Sequence, residues 1–362
     1  MGLSLVYSPY ILKFKDPAGT SRGRLFEKES WYIKVFEESD RTIAGLGEVS
    51  TLPRLSVDFD IDMAVELQRL QKKLMRVNLP DTIEEIYNLV SSLVPVSLPS
   101  IRFALETAFL DLHNGGHREI FKNPFYLAGK RIPINGLIWM GDYEYMRSQV
   151  DDKLDQNFNC IKIKVGAIDF DQECKLIEYI RSKRSSQEVT IRLDANGGFL
   201  TNEVLIKLKK LAQYEIHSIE QPIMPRQWEA MSLICEKSII PIALDEELIG
   251  GFDALNKQKM LEEIRPDYIV LKPSLLGGFQ QTTEWITTAE SMGIGWWITS
   301  ALESNIGLNA ISQYSMEMGV DMPQGLGTGQ LYHNNIPSPL RIDDQSIQYD
   351  PESKWETSLL NV

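Results

Sequence analysis

Cysteine and histidine are scarce in this chain of 362 residues, with three of the first and four of the second. Cys160, Cys174 and Cys235 have no metal-ligand spacing and cannot all pair, which predicts reduced thiols rather than a disulfide framework. His113, His117, His217 and His333 are scattered. The two that lie four apart flank Gly115-Gly116 at an expected helix end, which argues against a metal site there. No apolar run approaches the ~18 residues that a membrane helix needs. The start, MGLSLVYSPYILKFKD, lacks a basic segment, a sustained apolar core and a small-residue cleavage site, and Val6 stands where a myristoylation motif wants Ser or Thr. A cytoplasmic protein is therefore expected. Positive charge is also short: 37 Lys and Arg face 50 Asp and Glu, a formal charge of −13. Such a surface argues against nucleic acid, so any anionic ligand must be held by locally placed cationic groups.

What is present divides the chain into two textures. Residues 3–49 read as a meander of strands, LSLVYSPYILKF, RLFEKESWYIKVF and TIAGLGEV, with loops expected at 16–23 and 50–56. Three helical patterns follow. MAVELQRLQKKL has apolar residues at helical spacing, Asp81 and Glu84 have the spacing of a capping box, and Ile101, Ala104, Leu105, Ala108, Phe109 and Leu112 mark one face of a helix that Gly115 can close. Strands followed by helices predict a separate α+β unit over 1–129.

From 130 onward, short runs rich in Ile, Val and Leu alternate with amphipathic stretches: PINGLIW, CIKIKV, VTIRLDA, HSIEQP, IPIALDE, DYIVLKP, GWWITSA and GLGTG. Eight strands with seven intervening segments predict an α/β fold, a (β/α)7β TIM-like barrel over 130–328 capped by the N-terminal unit. The tail, 329–362, is expected to pack on the cap.

Five polar residues close successive strands. Lys164, Asp194, Glu220, Asp245 and Lys272 are 30, 26, 25 and 27 residues apart, each interval fitting one strand plus one returning helix. Polar residues at strand C-terminal ends of a barrel converge on one mouth. Any one of the three carboxylates alone could be a helix cap or half of an ion pair. Three in one mouth would repel unless a hard cation compensates, and Mg²⁺ suits a few carboxylates with open positions, Mn²⁺ being a possible substitute. Zinc is disfavoured, because no His or Cys joins the set. Lys162 and Lys164 in IKIKV alternate onto one side of a strand that should be apolar, which places both at the mouth. Each should depress the other's pKa and leave one amine as a base. Lys272 should face Lys164 across the opening. A base, an opposing cation and a divalent metal suggest proton abstraction next to a substrate carboxylate.

These residues resemble the enolase superfamily, and within it the muconate-lactonizing-enzyme subgroup. The likeness covers nearly the whole chain: the α+β cap, the Lys-Ile-Lys strand, acids on the third, fourth and fifth strands, and a lysine on the sixth. It implies that Asp194, Glu220 and Asp245 bind the metal and that Lys164 and Lys272 are the acid/base pair. GWWITSALES has no histidine of the mandelate-racemase kind, and GLGTG lacks the Asp-x-Asp pair usual in dipeptide epimerases. WWITSALESNIGL, RFALETAFLDL and the Asp-Ala-Asn of the third strand look most like the o-succinylbenzoate synthase family of menaquinone biosynthesis. That likeness implies dehydration of a succinyl-bearing cyclohexadiene dicarboxylate, a small-molecule substrate, with Lys162 contacting its carboxylate. Asn196 and Ser300 are candidate substrate contacts, Ser300 for the succinyl carboxylate; a structural hydrogen bond is an equal reading for each. Arg192 is expected to partner the acids, Trp296-Trp297 to pack, and Gly277-Gly278 to form a tight strand-to-helix turn. The competing readings are an N-acylamino acid racemase, a muconate cycloisomerase, and a non-catalytic barrel kept for binding, which should have lost a ligand or a lysine.

Overall fold

A computed structural model describes residues 2–20, 23–166, 168–251, 253–343 and 345–362. The chain opens with an antiparallel sheet of β1 (Leu3–Thr20), β2 (Gly23–Glu37) and β3 (Asp40–Ser50) in that order. The loop expected at 16–23 is instead mostly strand, since pairing resumes at Ala18↔Leu25 and runs to Thr20↔Gly23. Between Lys13 and Ala18 the register shifts. Pro17 lies in that stretch, and having no N–H it fits a bulge better than a ladder. Ser21 and Arg22, within the expected loop, lie outside the described residues. The segment 51–56 is irregular, as expected.

Helices at Met63–Leu74, Ile83–Leu93 and Pro99–His113 follow. The N-cap of the second is Thr82 rather than Asp81: its hydroxyl accepts from the N–H of Glu85 at 3.3 Å and donates to the Glu85 carboxylate at 2.9 Å. The capping pair therefore sits one residue later than the spacing of Asp81 and Glu84 suggested. The third helix is not half-exposed, as a one-faced pattern implies, but buried from Pro99 to Leu112. It lies between the sheet and the outer helices of the barrel. On the sheet side a Cβ on Gly47 would stand 2.0 Å from the Ala104 carbonyl oxygen, so only glycine permits so close an approach. Asn114, Gly115 and Gly116 then end the helix, with the Gly116 N–H on the Asp111 carbonyl at 2.7 Å.

PINGLIW is two strands. β4 (Ile132–Pro133) pairs with the tail, and β5 (Gly136–Ile138) begins a parallel sheet. The sheet continues through β6 (Cys160–Lys164), β7 (Thr190–Asp194), β8 (Ser218–Glu220), β9 (Ile242–Leu244), β10 (Tyr268–Leu271) and β11 (Gly295–Ile298). Its order follows the sequence, β5 to β11, with helices returning between successive strands. The closing strand overlaps GLGTG only at its first residue, Gly325, because the chain turns into a 3₁₀ helix from Gly327 to Gln330. Closure falls to Gln324 and Gly325, which bridge in parallel to Ile134 and Thr299 respectively. The Gln324 side chain adds a bond from the Ile298 N–H at 2.7 Å, and a Cβ on Gly325 would meet the Thr299 hydroxyl at 2.1 Å. One apolar cluster runs from Leu3 and Ile33 through Phe103 and Phe109 to Ile161, Leu193 and Ile219, joining sheet, helices and barrel.

In the tail, β12 (Leu340–Asp343) and β13 (Ser346–Tyr349) pair with each other, and β13 pairs with β4. Asn334 bonds the backbone of Lys13 and Ile11, and Leu360 packs with Tyr32 and Leu46. The tail thus touches both the sheet and the start of the barrel.

Candidate active site

Register places the site. In the parallel ladder Lys164 is level with Asp194, and Asp194 with Glu220, so three strand ends finish in one layer. Asp245 follows β9 directly. Carboxylate oxygens of Asp194, Glu220 and Asp245 all lie within 4.8 Å of one another, and all three residues are buried. Lys162 and Lys164 point to the same side as the acids. The Lys162 ammonium lies 3.0 Å from Asp194 Oδ2 and is paired with Glu220; Lys164 Nζ is 3.1 Å from the same Asp194 oxygen. Lys272, after β10, pairs with Asp245 from the far side of the acid group. The residues read from the sequence as ligands and acid/base lysines are therefore brought together.

Burial and neighbouring charges sort these groups. Burial drives Glu220 up to about 7, with Asp194 and Asp245 adding to it against the pull of Lys162. Asp245 is raised chiefly by burial, with Lys272 opposing. Asp194 lies well below the usual carboxylate range, because Lys162, Lys164 and Lys272 together outweigh its burial. Of Lys162, Lys164 and Lys272, it is Lys164 that is depressed. Its burial is the main cause, and Lys162 and Lys272 push the same way. The expected mutual depression fails for Lys162, which is raised: burial lowers it, but Asp194, Glu220 and Asp245 outweigh that. Lys272 is raised likewise, against its burial, by Asp245 and Glu246.

The donor set fits a hard divalent cation. It consists of three convergent buried carboxylates, and Glu220 Oε1 has no hydrogen-bond partner among the described residues. A buried carboxylate oxygen without a donor is costly unless something else satisfies it.

Asn196, at φ +44°, places its Oδ1 2.9 Å from Lys164 Nζ and its amide 2.9 Å from Glu246 Oε1. It therefore orients the lysine beside it. Ser300 faces the same cavity, but its hydroxyl donates to Glu303 at 2.5 Å and accepts from Thr328 at 2.8 Å and the Leu302 N–H at 3.1 Å. That exhausts a hydroxyl's ordinary capacity, so the structural reading prevails. Arg192 does point inward, but it does not partner the acids. It donates to the Pro323 carbonyl at 2.8 Å and stacks 4.2 Å from the Trp297 ring, one layer below. Trp297 is buried packing, as expected. Gly277 and Gly278, at φ +102° and +96°, form the expected turn.

Several contributors were not legible in the sequence. Gln221, at φ +37° after Glu220, accepts from the N–H groups of Asp245 and Glu247 at 3.2 and 3.1 Å and so ties the ends of β8 and β9 together. Its only signal was adjacency to Glu220. Above the acids a cavity of about 1080 Å³ opens between the barrel mouth and the cap. Lys15, Asp16, Gly23 and Arg24 of the hairpin and Leu52–Leu55 of the next loop border it, together with Lys162, Lys164 and Lys272.

Residues 145–352 match the family described as Enolase C-terminal domain-like. An o-succinylbenzoate synthase from Desulfotalea psychrophila is 46% identical over 94% of this chain and 98% of its own length. The crystal structure of MenC from Desulfotalea psychrophila LSv54 superposes with a TM-score of 0.85 at 42% identity, covering 96% of this chain and all of that one. A dipeptide epimerase from Cytophaga hutchinsonii has the same fold, with a TM-score of 0.84 at 20% identity over 100% of this chain and 98% of its own. The chain belongs to the enolase superfamily, in its muconate-lactonizing-enzyme subgroup.

Proposed function

We propose that this chain is an o-succinylbenzoate synthase, a carbon–oxygen lyase that dehydrates 2-succinyl-6-hydroxy-2,4-cyclohexadiene-1-carboxylate to 2-succinylbenzoate in menaquinone biosynthesis. The observation that carries the reading is the buried acid trio with Lys164 on one side and Lys272 on the other, in a chain similar along nearly its whole length to a synthase of that name. Every ligand and both lysines are in place, which argues against a barrel kept only for binding.

Asp194, Glu220 and Asp245 would hold Mg²⁺, with Mn²⁺ as a substitute. The ion, when bound, supplies fixed positive charge where the substrate carboxylate gains electron density. Lys164, depressed by burial, takes the proton alpha to the ring carboxylate, and the electrons of that C–H bond move into an enediolate. The same lysine, now protonated, returns its proton to the hydroxyl leaving from the same face. Water departs as the ring becomes aromatic, so the elimination is syn. Lys272 stays protonated, as its raised pKa favours, and steadies the enediolate from the opposite side. Lys162, held by Asp194 and Glu220, keeps positive charge beside the carboxylate end. Within this reading 1–129 is the cap, 130–328 the catalytic barrel and 329–362 the tail, and the enzyme works in the cytoplasm on a small dicarboxylate.

The test is a metal-dependent assay of the purified protein on the cyclohexadiene acid, followed by loss of the diene absorbance. Rapid turnover with Mg²⁺ and none after chelation is expected. Absence of turnover, together with solvent deuterium entering N-acylamino acids, would instead make the chain a racemase.

A further inference from the structure

β5 ends at Ile138, and the residue after it, Trp139, is half-buried on the cavity wall with its ring centroid 5.9 Å from Lys164 Nζ. Its backbone no longer has a strand partner. Gln149, on the helix Tyr143–Asp155, takes that place: its Oε1 accepts from the Trp139 N–H at 2.8 Å, and its amide donates to the Trp139 carbonyl at 3.0 Å. A side-chain amide thus reads both backbone groups of one residue and fixes where the indole stands. Four other tryptophans, Trp31, Trp228, Trp296 and Trp355, give their indole N–H to a protein acceptor. The Trp139 indole has no such acceptor among the described residues, although a partly buried indole ordinarily finds one. Trp139 packs with an apolar cluster that includes Leu25, Leu52 and Leu302, which line the same cavity.

Asp194, Lys162, Lys164 and Lys272 put charge on the pocket floor, and none of them offers the ring an apolar face. The substrate carries an uncharged six-membered ring, and the carbon that loses its proton belongs to that ring. A reacting carbon must come within about 3.5 Å of Lys164 Nζ, which brings the ring into the neighbourhood of the indole. We propose that Trp139 is the substrate-contact surface for the cyclohexadiene ring, held in register by Gln149, and that its indole N–H donates to a substrate oxygen. This rests on the dehydratase reading above. Gln149 acts through Trp139 and is a positioning residue.

The test is titration of the Mg²⁺-loaded protein with 2-succinylbenzoate, followed by tryptophan fluorescence, alongside KM and kcat for the cyclohexadiene acid. Wild type, Trp139→Phe, Trp139→Ala and, as a control, Trp296→Phe are compared. Loss of one well-placed aromatic contact should raise KM and the product Kd of Trp139→Ala about tenfold, with a smaller change in kcat. Trp139→Phe keeps an apolar wall and should lose most of the fluorescence response to product, whereas Trp296→Phe keeps it. Should Trp139→Ala fail to fold, the Trp139→Phe response decides alone. A response surviving in Trp139→Phe, or a KM of Trp139→Ala within about twofold of wild type, overturns the assignment. A wild-type protein that neither turns over the acid nor binds the product fails at the parent reading and takes this inference with it, a result visible without any variant.

Discussion

Glu106, in the buried helix of the cap, accepts a hydrogen bond from the backbone N–H of Phe279 at 2.5 Å. Phe279 is in the first turn of the helix that returns from β10, the strand leading into Lys272. The Gln280 N–H also approaches Glu106 at 3.4 Å, and a Cβ on Gly278 would meet the carboxylate at 2.3 Å. An acidic side chain at a helix N-terminus satisfies donors that have no intrahelical partner. The cap therefore grips the barrel just beyond Lys272, one of the two lysines proposed as the acid/base pair.

Glu106→Ala should leave those buried N–H groups unsatisfied, destabilising the protein by about 2–4 kcal/mol. Calorimetry should show a lower Tm, and Gly278→Ala, which forces a side chain into the carboxylate, should behave similarly. An unchanged Tm in both would mean the contact contributes nothing.

Lys164→Ala should fold normally and lose about 10²–10⁴-fold in kcat, the span ascribed to a general base. The pH profile carries the sign. In the proposed mechanism Lys164 works as the neutral amine, so kcat should fall as pH drops through its depressed pKa and protonation removes the base. A profile that rises toward acid would contradict the assignment, as would a Lys164→Ala variant of full activity.

Chelation should abolish turnover, and Mg²⁺ should restore it. Because an ion that binds only the folded state stabilises it, Tm should rise with Mg²⁺ concentration. Glu220→Gln removes one of the three converging carboxylates, so both the activity and the Mg²⁺-dependent Tm shift should shrink sharply. A shift as large as in wild type would place the ion elsewhere.

His217 lies beneath the barrel against Tyr268, with ring centroids 5.2 Å apart. Burial, aided by Arg192, holds its pKa down at about 4. The unfolded chain binds this proton near pH ~6.5. Its contribution to stability is therefore fully present above that pH and is lost progressively as pH falls toward the folded value. His217→Phe keeps the ring contact and should flatten the fall in Tm between about pH 6.5 and 4.5. Equal slopes for variant and wild type would show that the imidazole titrates freely.

The central chemistry was legible because period and residue type agreed. Charged groups at intervals of 25 to 30 residues, each closing an apolar run, can hardly be surface features in a parallel barrel. Less was visible where a side chain's partner is distant in sequence. Ser300 stood at a strand end like the others, yet Glu303 and Thr328 occupy its hydroxyl. Arg192 alternated inward as predicted, and only packing reveals that Pro323 and Trp297, not the acids, receive it. Lys162 and Lys164 share a strand face, but their proximity to different numbers of carboxylates splits their basicities, which no local pattern records. The closing strand begins one residue before GLGTG and ends at Gly325, because two residues suffice for it, too few to leave an alternation.

That brevity has a bearing on how such a protein can change. Gln324 and Gly325 form the seam between the first and last strands of the staves, whereas the acids stand on β7 to β9, diametrically opposite. Trp139 and Ser300 border the seam; the acid trio does not. Mutational drift there can reshape what the mouth admits while the opposed acids stay anchored.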